Sequence, residues 1–597
     1  MFSNIENVNI LTHFLKRRGV RRVVVCPGSR NAPIVHNLNE LEDVTCYPVT
    51  DERSAGFFAL GLALGAPYPC PSPIAVVVTS GSALLNLYPA VAEAFYQKLP
   101  VIFISADRPE AWIGQQDGQT LPQSGVFGTM VHKSVNLPVI PAFPAEDEAA
   151  KQQHDEQIWY CERQLNEAII DCIHRKTGPI HINIQIAEPL YEFTEKTLPE
   201  THYVDYIKTA LYGGEFHYGD LLDFLQSKKP MIVIGQDYPS TMLYGIKGIS
   251  SWAVTLCEPT ALGEACPDPA NRKVSYELTM PYFEQVLSVI GDDEDYMPDF
   301  ILYVGGHIVS KRLKQYLRKA AKNAKVWRAS KDGDLIDTFM HTDRIFQCDP
   351  DQLAHAMTDF EQNCRDEVHE YIERWENALL ATKHQTFDYE PAFSSLATVK
   401  YFETEFHANS LGDTRCCRVF YGNSMAIRLG CLFARQFIHC NRGVNGIEGT
   451  LSTAAGLSCY LSEYRHPDAK KQQKVFCVLG DLSFFYDQNA LWNQNINGSL
   501  RIIVLNNGGG AIFGKFKGLK ESKARERLVM AEHKTSAVNA CQANDIVYLG
   551  ADSMKTMKYG IDQLIHSEFD RPMLLEVFTD AETDNRVIED FYESLKL

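Results

Sequence analysis

Short, uninterrupted apolar runs of strand length punctuate the chain at residues 22–26, 74–79, 101–105, 180–184, 230–235, 300–304, 475–479 and 502–505. Between them the pattern switches to helical spacing. Ile5, Val8, Leu11, Phe14 and Leu15 fall on one helix face, and residues 53–64, the stretch after Ser82 through Ala94, and residues 487–493 are read as further helices. Strands buried on both faces and separated by amphipathic helices predict parallel sheets covered on both sides. The fold class expected is α/β, built as doubly wound parallel sheets. The pattern restarts twice, giving three α/β domains at residues 1–190, 191–388 and 389–597. Residues 362–391 read as a charged helix followed by a linker.

The most informative stretch is 475–513. Its two apolar runs should be parallel strands, so both end on the edge where open α/β sheets bind ligands. That edge receives the turn Gly480-Asp481 and the run Asn507-Gly508-Gly509-Gly510. The Asp481 carboxylate, the Asn507 side-chain carbonyl and the Gly509 carbonyl are hard oxygen donors, suited to magnesium or calcium. Magnesium keeps few protein ligands and completes its octahedron with water and phosphate oxygens, so the expectation is a magnesium-diphosphate anchor. The plainer reading is an ordinary strand-to-helix turn. A fainter pattern links 75–87 with 475–491: buried strand, tight turn, then helix, so the first and third domains should be alike.

Composition narrows the class. The chain has 597 residues, 45% of them hydrophobic, and a formal net charge of -18. No basic footprint for nucleic acid is visible. The first residues lack the apolar core of a secretory signal, and no run approaches the ~20 apolar residues of a membrane span. The 16 cysteines are scattered without a CxxC pair, which argues against zinc and against a disulfide framework. A cytoplasmic location is expected.

A Gly-Asp turn followed by paired asparagines resembles the thiamine diphosphate enzyme superfamily. The resemblance implies that Gly480, Asp481, Leu482, Ser483, Asn507 and Gly509 hold the cofactor, with Asp481, Asn507 and Gly509 on Mg2+, or on Mn2+ in its place. It also implies a glutamate from a second, similar domain, usually on the partner subunit. Glu52 in Thr50-Asp51-Glu52-Arg53 is the match. A carboxyl there would hydrogen-bond the pyrimidine ring and promote loss of the thiazolium proton; alone, it would read as an acid favoured at a helix N-terminus. A homo-oligomer, dimer or tetramer, follows.

Further segments are similar to one branch, the 2-succinyl-5-enolpyruvyl-6-hydroxy-3-cyclohexene-1-carboxylate synthases of menaquinone synthesis. They are residues 26–33, 51–55, 79–83 and 106–109, then Gly422-Asn423-Ser424 with Arg428, Asn441-Arg442-Gly443 with Ile447, and residues 480–484. The similarity is dense in domains one and three and sparse in domain two. It implies condensation of 2-oxoglutarate, with loss of carbon dioxide, with isochorismate. Ser424, Arg428 and Arg442 would hold the oxoglutarate carboxylates. Ser29, Arg30, Arg108, Gln119 and Lys311 would hold isochorismate, and Gln119 would also assist catalysis. Ile447 would prop the cofactor in its bent form. Arginine forks suit the carboxylates of both substrates, although a single arginine is more often a solvated charge.

Leu482 replaces the superfamily's usual glycine, Gly118 stands where a polar amide is expected, and Ala490 and Glu448 also depart from the branch. Two alternatives stay open. One is another thiamine diphosphate enzyme, such as an acetohydroxyacid synthase or a 2-oxoacid decarboxylase. The other is a non-catalytic α/β binding protein.

Overall fold

The β-branched and aromatic runs assemble into three wholly parallel sheets in the computed structural model, which describes residues 1–65, 73–141, 147–206, 216–236, 252–261, 282–360, 365–409, 417–463, 472–515 and 517–597. The first sheet holds β1 (Arg22–Val25), β2 (Thr45–Pro48), β3 (Ile74–Val78), β4 (Val101–Asp107), β5 (Ser134–Leu137) and β6 (Ile180–Gln185), in the order β2-β1-β3-β4-β6-β5. The second holds β7 (Pro230–Ile234), β8 (Val254–Cys257), β9 (Phe300–Val304), β10 (Lys325–Ser330) and β11 (Arg344–Gln347), ordered β11-β10-β9-β7-β8. The third holds β12 (Cys417–Tyr421), β13 (Lys474–Gly480), β14 (Leu500–Asn506), β15 (Val547–Ala551) and β16 (Met573–Phe578), ordered β12-β13-β14-β16-β15. Strands such as β3, β4, β7, β9 and β14 are buried at every position, as helices on both sheet faces require.

The first and third sheets share one winding. Without β2, the order β1-β3-β4-β6-β5 maps onto β12-β13-β14-β16-β15 place by place. Where β2 would pair, the third sheet has an isolated parallel bridge, Phe420 to His439.

Two buried helices, Glu52–Gly65 and Thr450–Glu463, join these sheets. The contact is so close that a Cβ on Gly61 would sit 2.0 Å from the Thr453 carbonyl oxygen, and one on Gly456 2.0 Å from that of Phe58. The Ser54 and Ser452 hydroxyls meet at 2.7 Å near the same ends of the two helices. One apolar core runs through both helices and both sheets, from Val76 and Phe103 to Cys477 and Val504.

Three local expectations need correction. The helix expected at 487–493 begins earlier, as Asp481–Tyr486, followed by a 3-10 turn at Gln488–Leu491. Asp487 ends it because its buried carboxylate is taken by the Ser452 N–H and hydroxyl, both at 2.7 Å. The helix expected through Ala94 is two, Ser82–Asn86 and Tyr88–Gln97, restarting with Pro89 in its first turn, where the missing N–H is tolerated. Pro33 likewise lies in the first turn of helix Ala32–Asn39, although the sequence from Pro27 to Pro33 reads as a loop. The charged helix is present as Asp366–Asp388; its expected start at Gln362 lies outside the described residues.

Candidate active site

Parallel pairing of β12, β13 and β14 brings three loops to one sheet edge: Gly422–Ser424, Gly480–Asp481 and Asn507–Gly510. Asp481 is only 2% exposed. Its oxygens accept from the Leu482 N–H at 2.7 Å and the Gly509 N–H at 2.9 Å. His533 Nε2 lies 3.3 Å from Asp481 Oδ2 at ion-pair distance, without hydrogen-bond alignment. Burial pushes the Asp481 carboxyl above its ordinary range, against the opposing pull of these N–H groups and of His533. A divalent cation is the natural compensation for such a group.

The glycines shape the same turn. Gly509 has φ +149 and Gly508 φ +77. A Cβ on Gly509 would come within 2.7 Å of the Met530 carbonyl oxygen, whereas one on Gly480 would meet nothing within 4 Å among the described residues. The turn is thus closed on its protein side and open in front of Gly480. The donor set, a buried carboxylate with a side-chain amide oxygen and a backbone carbonyl from the adjoining loop, is of the kind that suits magnesium carrying phosphate oxygens and water.

Ile447 belongs to this edge, because its carbonyl oxygen accepts from the Ser483 hydroxyl. The loop that carries it is strongly held. Asn423 donates to the carbonyls of Asn441 and Gly446, each at 2.6 Å, and accepts from Arg442 Nη1 at 3.0 Å. From the first sheet's side, buried Glu93 accepts the N–H groups of Gly443 and Val444, each at 2.7 Å. Ser424 opens helix Met425–Phe433 with φ 72, a rare conformation for a residue other than glycine. One helical turn on stands Arg428. The Nε atoms of Arg428 and Arg442 are buried and have no hydrogen-bond partner among the described residues.

The second sheet supplies a further cation and a counter-charge. Burial lowers the Lys314 ammonium, and the charges of Arg442 and Arg428 add to that. His307 is lowered by burial and then by Arg442 and Lys314. Glu258, 1% exposed, accepts from the N–H groups of Val309 at 2.7 Å and Ser310 at 2.8 Å. Burial pushes it up to about 7, with Arg442 pulling the other way. Lys311, expected in the substrate pocket, is exposed on helix Lys311–Ala320, while Lys314 on the same helix is the lysine that feels Arg428 and Arg442.

The remaining expected residues gather on the first sheet. β1, β3 and β4 end side by side, which places Ser29 and Arg30, Ser80 and Gly81, and Arg108 on one edge. Arg108 Nη1 donates to the Ser80 hydroxyl at 2.9 Å and to the Gln119 carbonyl at 3.2 Å. Gln119 is exposed at φ 56 with its backbone packed on Gly81. Arg30 is buried, donating to the Ile186 carbonyl and to Glu188, and Ser29 is exposed. Glu52 starts its helix and accepts from Asn86 Nδ2 at 3.0 Å. Its neighbours bind the third domain: Asp51 accepts from Asn489, and Arg53 donates to the Tyr486 carbonyl. Among the described residues, Glu52 makes no hydrogen bond to Ile447, Asp481, Asn507 or Gly509.

Sequence reasoning missed Glu93, Glu258, Lys314 and His533, since none lies in a recognisable motif. Buried charge is the property that marks Glu93 and Glu258, and it becomes visible only after folding.

The chain is similar to known proteins over its whole length. Residues 6–126 match the family model described as thiamine pyrophosphate enzyme, N-terminal TPP binding domain. The chain therefore has the thiamine pyrophosphate enzyme architecture at its first sheet. A 2-succinyl-5-enolpyruvyl-6-hydroxy-3-cyclohexene-1-carboxylate synthase of Phocaeicola vulgatus is 39% identical over 608 residues, covering 100% of this chain and 99% of that protein. Proteins of the same name from Bacteroides thetaiotaomicron and Christiangramia forsetii are 38% and 31% identical, each covered over 100% of both chains. The chain belongs to the 2-succinyl-5-enolpyruvyl-6-hydroxy-3-cyclohexene-1-carboxylate synthase family. No helix among the described residues is long and apolar enough to cross a membrane.

Proposed function

We propose that the chain catalyses the thiamine diphosphate- and Mg2+-dependent condensation of 2-oxoglutarate with isochorismate, releasing carbon dioxide and forming 2-succinyl-5-enolpyruvyl-6-hydroxy-3-cyclohexene-1-carboxylate. The observation that carries this reading is the loop from Asn441 to Ile447. It ties Arg442, whose fork suits a carboxylate, to the turn that carries Asp481 through Asn423 and the Ser483 hydroxyl.

In this reading the first sheet is the pyrimidine-binding domain (1–190) and the third the diphosphate-binding domain (389–597), with 191–388 between them. Asp481, Asn507 and the Gly509 carbonyl hold the metal, while Gly480, Leu482 and Ser483 line the diphosphate. When bound, thiamine diphosphate supplies a nucleophilic carbon and an electron sink for decarboxylation. Glu52 holds a proton at the pyrimidine ring, and Ile447 props the ring. Ser424, Arg428 and Arg442 orient the 2-oxoacid carboxylates, with Lys314 adding charge. Ser29, Arg30, Arg108 and Gln119 bind the second substrate from the first sheet, with Lys311 at the rim. The two halves are completed in a homo-oligomer working in the cytoplasm.

The test is an assay with isochorismate, 2-oxoglutarate, thiamine diphosphate and Mg2+, following loss of the isochorismate chromophore. Turnover that depends on all four components is expected. A preference for pyruvate over 2-oxoglutarate in carbon dioxide release would overturn the substrate assignment in favour of a different 2-oxoacid enzyme. Glu52→Gln should retain cofactor binding and lose turnover.

A further inference from the structure

The paired asparagines at the end of β14 point to opposite sides of the strand, as successive strand residues must. Each meets its own buried carboxylate. Asn506 donates to Glu576 at 2.8 Å. Asn507 Nδ2 donates to Asp584 Oδ2 at 2.9 Å. Asp584 is 3% exposed and fully engaged: Oδ1 accepts from the Ser395 N–H at 2.7 Å, and Oδ2 also accepts from the Ser395 and Thr579 hydroxyls at 2.6 and 3.1 Å. The next residue holds the other end of the same turn, since Asn585 Nδ2 donates to the Ala511 carbonyl at 3.1 Å. Successive residues of helix Ala581–Ser594 thus clamp the glycine turn at both ends.

We propose that Asp584 is a positioning residue that sets which way the Asn507 amide faces. An amide has one oxygen and one nitrogen. A carboxylate that only accepts hydrogen bonds fixes the nitrogen toward itself and keeps Oδ1 turned away from it, available to a cation. Without that acceptor the amide is free to turn its nitrogen, which cannot bind a cation, toward the metal. The inference rests on the reading of Asn507 as a metal ligand.

The test is Mn2+ binding to the full chain at fixed thiamine diphosphate, with free Mn2+ followed by its EPR signal. Asp584→Asn should weaken Mn2+ binding about 10- to 100-fold, the usual cost of losing a group that orients a ligand. In an Asn507→Asp background the effect should reverse: donor and acceptor have exchanged places, so adding Asp584→Asn should leave binding unchanged or tighten it. A loss of equal size in both backgrounds would mean general loosening and overturn the proposal. Asp580→Ala removes the cap of the same helix, which accepts from the Thr583 N–H, and should leave Mn2+ binding within about threefold. A loss matching that of Asp584→Asn would also overturn it. Weakened binding in Asn507→Ala with no change in Asp584→Asn would remove the positioning role alone. Unchanged binding in Asn507→Ala would remove the ligand assignment and this inference together.

Discussion

Glu258 and Arg442 show how single residues are set by their surroundings. Glu258 has a folded pKa of about 7 against an ordinary 4.5 because it is buried. Between those values the folded chain keeps a proton that the unfolded chain has released. Stability from this group is complete below about pH 4.5 and is lost as pH rises through 7, by up to about 3 kcal/mol. Glu258→Gln cannot ionise, so denaturant titrations at pH 5 and pH 8 should show a smaller pH difference in the variant than in the native chain. Equal differences would refute the assignment. Arg442 sits on Asn423 with its Nε unpartnered among the described residues, ready for a second, charge-assisted bond. Arg442→Lys keeps the charge and loses the fork, so KM for 2-oxoglutarate should rise about 10- to 100-fold, from the ~1.5–3 kcal/mol of a charged hydrogen bond. KM for isochorismate should move little in the same steady-state assay.

At the scale of elements, the crossing of helices Glu52–Gly65 and Thr450–Glu463 is the joint between first and third sheets. Gly61 and Gly456 are required there because the atoms a Cβ would strike are backbone carbonyls that cannot turn aside. Gly456→Ala should therefore destabilise the chain by about 1–3 kcal/mol or more through overpacking, read from denaturant midpoints. Gly518→Ala, where a Cβ meets nothing within 4 Å among the described residues, should change little. This joint also shows what the sequence conceals. The strands and the Gly480-Asp481 edge were legible because burial on both faces leaves unbroken apolar runs, and parallel strands share an edge. The Gly61–Gly456 contact was not, since a helical glycine states nothing about its distant neighbour. The end of helix Asp481–Tyr486 was misread because Asp487 looks like an N-terminal acid until its bond to Ser452 is seen. Lys314 went unnoticed for a related reason: the chain gives its spacing, while the packing of its helix decides that it feels Arg428 and Arg442.

For the whole molecule, the distribution of charge and the repeated winding matter together. The chain carries a net charge of -18, yet Arg428 and Arg442 both act on Lys314, and Arg30 and Arg108 both act on Asp107 at the first sheet's edge. If the two similar domains carry complementary halves of one site, as proposed, they suit a symmetric assembly in which each half meets its counterpart on another copy. Mixing distinguishes that arrangement from a site completed within one chain. Glu52→Gln lacks the proton-holding half, and Asp481→Ala lacks the metal-holding half, so each alone should be inactive. After the two are unfolded together and refolded, random pairing makes half the dimers mixed, and each mixed dimer has one intact site of two. Activity should return to about a quarter of native. If both halves of a site come from the same chain, no pairing can restore one, and activity stays at the level of the single variants.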